Sequence, residues 1–169
     1  TAGDQRLQIG TKVVTMVSSR EETIISTDEA IYGMTFVGPP FIFSFRLLAT
    51  NSGAAGINTM INIDGNVFWM GRTNFFTYDG VVKEIPCSVQ YFVFDRLQRD
   101  FIDKTIVAHN KKFKEVTWFY VSNDNSAGTL NPEPDSYVTF NYLENAWSIG
   151  EMDRTAWLDS FGFRKVPFA

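Results

Sequence analysis

The residues that could carry nucleophilic or metal chemistry are few in this sequence of 169 residues. It contains one cysteine, Cys87, and one histidine, His109. A single cysteine excludes an intrachain disulfide and every multi-cysteine metal site, and a single histidine excludes a three-histidine centre within one chain. His109 as a general base would need a neighbouring nucleophile and an orienting group, and the spacing identifies neither. We therefore expect no catalytic residue, no metal site and no cofactor.

The remaining chemical candidates have simpler structural explanations. Cys87 precedes a predicted helix, whose N-terminus could lower the pKa of a thiol, but a free cysteine is more often a small buried side chain. The acids of four turns could supply calcium ligands or the paired carboxylates of a glycosidase: Asp28-Glu29, Asp64-Gly65, Asp79-Gly80 and Asp135. The spacing Asp-x-Asp-x-Asp does not occur. Aspartates in turns are explained by their own hydrogen bonds to the backbone.

Charge and hydropathy bear on two classes of partner. Fifteen basic and nineteen acidic residues give a net charge of −4, and the basic cluster Lys111, Lys112 and Lys114 is typical of a solvated hairpin tip. Nucleic-acid binding would need a broader basic face, so we do not expect nucleic acid as the main partner. The apolar runs are strand-sized and fall short of the ~20 residues of a membrane helix, so we expect no membrane span.

The elements that must position these residues are predominantly strands. Runs of four to eight β-branched and aromatic residues alternate with turn residues, which predicts a mainly β fold of repeated antiparallel meanders. Three units recur, at about 11–50, 57–86 and 104–150. Their second strands are centred near Ile24, Val67 and Val116, which are 43 and 49 residues apart. That period is typical of β-propeller blades, and a sandwich of unrelated meanders is the alternative.

Three blades cannot close a propeller ring, which normally has about four to eight. We therefore expect a partial propeller, or one completed by another chain, because open blade edges favour pairing with further strands. We treat residues 1–169 as a single β-rich domain.

One segment departs from the β pattern. Val89, Phe92, Val93 and Leu97 lie at positions i, i+3, i+4 and i+8, with polar residues between them. This spacing predicts an amphipathic helix at about 89–100, with Ser88 capping its N-terminus.

Aromatic residues are abundant, with 16 Phe, 6 Tyr and 4 Trp. Trp69, Trp118, Trp147 and Trp157 could form platforms on which sugars stack. Trp69 and Trp118, however, occupy the same place in two successive units, inside apolar strands, which favours a repeated core position.

The aromatic segment at 36–45 is harder to bury, because Pro39 and Pro40 exclude a central strand. We expect it to form either an apolar crossover between blades or a contact surface for a neighbouring subunit. The candidate interaction surface consists of Phe36, Pro39, Pro40, Phe41, Phe43 and Phe45.

Several strings of the sequence resemble a family of structural, stabilisation or tail-nozzle proteins from the virions of short-tailed marine phages. They are TDEAIYGMTFVGPPF at 27–41, WMG at 69–71, FFTYDG at 75–80, PCSVQYFVFD at 86–95, NYLENAW at 141–147 and RTAWLD at 154–159. The resemblance extends from Gly10 to Ala169. Family members look longer than this chain, which begins at Thr1 without an initiator methionine, so we expect a segment of a longer protein.

The resemblance implies a β-propeller component of the phage tail or of its attachment to the portal, made in the host cytoplasm and located in the virion. Its partners would be other virion proteins and further copies of itself, and the family provides no catalytic residues. Two other functions are considered: a carbohydrate-binding β-propeller that recognises a host-surface glycan, and a glycosidase on a propeller scaffold.

Overall fold

The computed structural model describes residues 6–126, 132–153 and 157. These residues fall into two compact units, of which the first ends at Ile85 and the second begins at Pro86. The described residues contain twelve strands, arranged in three four-stranded antiparallel sheets. The prediction of a mainly β fold built from antiparallel meanders is confirmed.

The first unit contains two of these sheets. The first sheet consists of β1 (Val13–Ser18), β2 (Thr23–Thr27), β3 (Ala30–Gly38) and β4 (Ile42–Thr50), hydrogen-bonded in that order. The second sheet consists of β5 (Met60–Ile63), β6 (Asn66–Met70), β7 (Phe75–Tyr78) and β8 (Val82–Ile85), again in chain order. Asp64 and Gly65 join β5 to β6 with φ of 51° and 96°, and two positive φ angles are what a tight hairpin turn of this kind requires.

The first two sheets pack face to face. Ile24 and Ile31 from the first sheet share one core cluster with Val67, Trp69 and Phe76 from the second. β1 lies beside β5, where the Arg20 guanidinium donates to the Asp64 carbonyl at 3.0 Å. The face of the first sheet in this core is called its inner face below, and the opposite face its outer face.

Among the described residues of the first unit, those that precede β1 cover one end of the outer face. Leu7 and Ile9 pack there against Ile25 and Tyr32. The Ile9 amide donates to the Tyr32 hydroxyl at 2.8 Å, which ties the chain before β1 to this sheet. The rest of the outer face carries the aromatic residues of the β3–β4 hairpin, described in the next subsection.

The second unit contains the third sheet and the short helices. β9 (Ile106–Asn110), β10 (Glu115–Tyr120), β11 (Ser136–Asn141) and β12 (Ala146–Glu151) pair in sequence order. Before them come helix α1 (Gln90–Arg96) and a 3-10 helix (Arg99–Lys104), and α2 (Asn123–Ser126) follows β10. Val116, Trp118 and Val138 are fully buried in this unit.

The predicted helix at 89–100 is shorter than its apolar spacing indicates. α1 ends at Arg96, and Leu97 adopts an extended conformation with ψ of 121°. Leu97 forms a bridge to Ser122, and the Gln98 amide donates to the Val121 carbonyl at 2.9 Å, so pairing with another segment replaces the next helical turn. The predicted cap is also wrong, because the N-cap position is Val89 and no side chain caps the helix. In the described part of the chain, no helix is long and apolar enough to cross a membrane.

Candidate functional site

The segment at 36–45 is the end of a long hairpin, and the predicted crossover between blades is wrong. β3 and β4 each span nine residues and pair from Ala30 opposite Thr50 to Gly38 opposite Ile42. The prolines lie in the turn, where no ladder hydrogen bond is lost, and Gly38, the last residue of β3, adopts φ of 77°. β4 is the edge strand of its sheet, because none of the described strands of the first unit pairs with its other side.

Large apolar side chains are exposed over this hairpin. The exposed fraction is 68% for Phe36, 79% for Phe41 and 45% for Phe43. Phe36 and Phe43 lie directly opposite each other, with ring centroids 5.9 Å apart in an edge-to-face arrangement. Together with three exposed aliphatic residues they form what we call the hairpin patch: Phe36, Val37, Phe41, Ile42, Phe43 and Leu47.

The six sequence-predicted interaction residues do not all share this environment. Phe36, Pro39, Pro40, Phe41 and Phe43 are exposed, whereas Phe45 is half-buried. Phe45 packs instead against the cluster that contains Ile25 and Tyr32.

The six predicted interaction residues leave out three members of the hairpin patch: Val37 and Ile42, which lie within the predicted segment 36–45, and Leu47, which lies beyond it. The signal that could have found Leu47 is the alternation from Phe43 through Phe45 to Leu47, which has the period of a strand.

The hairpin patch is electrically neutral. Arg46 is the only charged residue between Met34 and Leu48, and it alternates with Phe45 and Leu47, so it lies on the inner face. There its guanidinium pairs with the Glu22 carboxylate at 2.9 Å.

Glu22 is held by a second donor on the inner face. The Tyr78 hydroxyl also donates to the Glu22 carboxylate, and burial, followed by the interaction with Glu22, raises the pKa of Tyr78 to about 12. Gly33 leaves the space that Glu22 occupies, because a Cβ at this position would lie 1.8 Å from its Oε2 atom.

The single histidine and the single cysteine of the sequence lie at separate places in the second unit. His109 is half-buried on β9, with its Nε2 atom 3.2 Å from the Tyr142 hydroxyl. Cys87 is half-buried before α1, and burial raises the pKa of its thiol to about 11. Such a thiol is almost wholly protonated at neutral pH, which makes it a poor nucleophile.

The acids of the turns act through local hydrogen bonds. Asp28 accepts from the Thr11 hydroxyl at 2.6 Å and from its amide at 2.8 Å, and these bonds lower the pKa of Asp28 to about 2. Asp79 pairs with Lys83 at 2.7 Å, and this hydrogen bond lowers the pKa of Asp79. Among the described residues, no three His, Cys, Asp or Glu side chains are grouped so that they could hold a metal ion.

The second unit contains a cavity of about 300 Å³ in which aromatic and charged side chains meet. Phe92, Arg96, Tyr120 and Glu151 are among its lining residues. The Arg96 guanidinium lies 4.9 Å from the centre of the Phe92 ring and pairs with Asp124 at 2.8 Å and with Glu151 at 3.4 Å. The cation therefore occupies one face of the Phe92 ring.

The four tryptophans are not equivalent. Trp69 and Trp118 have an exposed fraction of 0%, whereas Trp147 and Trp157 are half-buried. Trp147 packs on Phe140, with centroids 4.6 Å apart, and Trp157 lies 5.6 Å from Phe119. The prediction of a repeated core position for Trp69 and Trp118 is confirmed.

A scan against protein-family models gives no match for this chain, and a search of curated proteins gives none either. The fold itself defines a class, that of mainly β proteins built from four-stranded antiparallel meanders. The resemblance to phage virion proteins stays a prediction.

Proposed function

We propose that this protein is a structural component of a phage virion, in the tail nozzle or at the attachment of the tail to the portal, and that it acts through protein–protein assembly rather than catalysis. The observation that carries this proposal is the hairpin patch. Three phenylalanines between 45% and 79% exposed at the end of one hairpin are unfavourable in water unless another surface covers them. Edge strands with apolar side chains pair readily with other proteins.

The packing of the first unit supports a propeller-like architecture for such a component. Propeller blades are four-stranded antiparallel sheets that stack face to face, with the first strands of adjacent blades close to the ring axis. The first and second sheets stack in this manner through Ile24 and Trp69, and their first strands, β1 and β5, are neighbours.

The location of the protein can be tested on phage particles that encode this chain. Antibodies raised against the full chain, used with immunogold electron microscopy, should label the tail end of purified virions. Mass spectrometry of the same particles should detect peptides such as those of β6 and β10. Absence of the chain from gradient-purified particles would contradict the proposal, whereas a label spread over the capsid would contradict the tail location.

A glycan-binding function is the second candidate, and the cavity beside Arg96 is the observation that favours it. Its volume of about 300 Å³ and its mixture of aromatic and charged side chains fit a single sugar ring. The pairing of Arg96 with Phe92 leaves less aromatic surface for stacking, so we place assembly first. A glycan array probed with the full chain, and with R96A as the matched variant, would show Arg96-dependent binding if the protein recognises sugars.

A further inference from the structure

We propose that the partner of the hairpin patch is a second copy of this chain, and that two copies bring their outer faces together about a two-fold axis. The proposal rests on the proposed assembly function and names the partner of its surface. Phe36, Phe43 and Leu47 lie on the outer face of the first sheet, and Phe41 lies at the tip beside them. A two-fold contact would pack this surface against itself in the way that two sheets form a sandwich.

The area of the hairpin patch agrees with the size of a stable dimer interface. Only the side chains on the outer face and at the tip enter this area: Phe36, Phe41, Phe43 and Leu47. With roughly 200 Å² for a fully exposed phenylalanine and somewhat less for leucine, they expose on the order of 450 Å² of apolar surface. This value lies within the range for the largest apolar patch of a monomer, about 300–600 Å². If about two thirds of the interface is apolar, each copy would bury about 700 Å², close to the ~800 Å² per partner of a standard interface.

The charge distribution favours a copy of the same chain over a partner of opposite charge. A two-fold contact brings identical residues together, so any charged group in it would meet its own like charge. The hairpin patch avoids this repulsion, since Arg46 pairs with Glu22 on the inner face. The chain as a whole has a net charge of −4, so a neutral surface is where two copies approach with the least repulsion.

The test compares the full chain with F41D, using Y91D as the matched control. Phe41 and Tyr91 are both highly exposed aromatic residues, and Tyr91 lies on α1, outside the hairpin patch. Sedimentation velocity over a concentration series should show a dimer for the wild-type chain and for Y91D. In F41D two carboxylates meet in the contact, and the dissociation constant should rise by about a hundredfold, while the circular dichroism spectrum is unchanged.

Ionic strength provides a second measurement that needs no variant. A neutral apolar contact should keep the same dissociation constant, or a lower one, from low to high salt, whereas a contact built on opposite charges would weaken.

A monomeric wild-type chain, or a dimer that F41D leaves intact, would overturn the proposal of self-association. In that case immunogold labelling of virions decides whether the assembly function survives. A monomer that is present in the tail would mean that the hairpin patch contacts a different virion protein. A monomer that is absent from virions would remove both proposals.

Discussion

Replacing Trp69 with phenylalanine tests the core between the first two sheets. The indole is fully buried, stacks on Phe76 with centroids 5.6 Å apart, and donates its Nε1 hydrogen to the Ser52 carbonyl at 2.7 Å. W69F leaves a buried carbonyl without this donor, at about 1–3 kcal/mol. It also removes roughly 40 Å³ of side chain, which adds about 1 kcal/mol if the space stays empty. We expect a total loss of about 2–4 kcal/mol.

W147F is the matched control, because the Trp147 indole also donates to a backbone carbonyl, that of Pro86, at 2.8 Å. Trp147 is half-buried and this hydrogen bond is exposed, so water can replace the lost donor and the cost should be about 1 kcal/mol. Hydrogen exchange with mass spectrometry reads the two units separately. W69F should lower the protection of β6 amides by about 30- to 1000-fold and leave β10 unchanged. A smaller loss in W69F than in W147F would refute the reasoning.

Three further predictions follow from single residues. G33A should displace the Glu22 carboxylate, because the new Cβ would lie 1.8 Å from its Oε2 atom, and the lost contacts of Glu22 with Tyr78 and Arg46 should cost about 1 kcal/mol in urea denaturation; E22A should remove this cost in the double variant. The contact with Thr11 lowers the pKa of Asp28 from 3.8 to about 2 in the folded state. The ionised carboxylate therefore stabilises the chain fully at pH values above 3.8, the pKa in the unfolded chain, and this stabilisation is lost as the pH falls through about 2. The difference in melting temperature between the wild type and D28N should therefore shrink from about pH 5 to about pH 2, and a constant difference would contradict this. Because burial raises the pKa of Cys87 to about 11, iodoacetamide should alkylate it about a hundredfold more slowly than free cysteine at roughly pH 8, with the rate restored in urea.

The core of the fold could be predicted from the sequence because its signals are local. The alternation and turn residues around Asp64-Gly65 specify both strands of that hairpin, and Gly65 has the positive φ that the turn requires. The equivalence of Trp69 and Trp118 predicted their burial, because both lie in the second strand of their meander, with neighbouring strands on each side.

The errors arose where distant contacts decide the local structure. Leu97 continues the helical spacing of α1, yet its pairing with Ser122 ends the helix one residue earlier. β4 was not predicted, because Pro39 and Pro40 exclude a central strand; they form the turn before a nine-residue edge strand.

The candidate site could be predicted only in part for the same reason. The sequence indicated that the segment 36–45 resists burial. That Phe45 is half-buried while Phe43 is exposed depends on Leu7 and Ile9, which cover one end of the outer face and lie more than thirty residues earlier in the chain. No pattern within the hairpin encodes that contact.

The distribution of charge over β4 indicates that its exposed aromatic residues serve assembly rather than the stability of the fold. Edge strands that stay free in water usually carry charged side chains, above all lysine, which discourage pairing with other chains. β4 has one charged residue, Arg46, and it lies on the inner face, paired with Glu22. The outer face of this edge strand therefore lacks the protection expected of a permanently exposed edge. Substitutions at Phe41 should accordingly change association while leaving the free energy of unfolding nearly unchanged, and those at Trp69 should do the reverse, so the two measurements together distinguish a contact surface from a core.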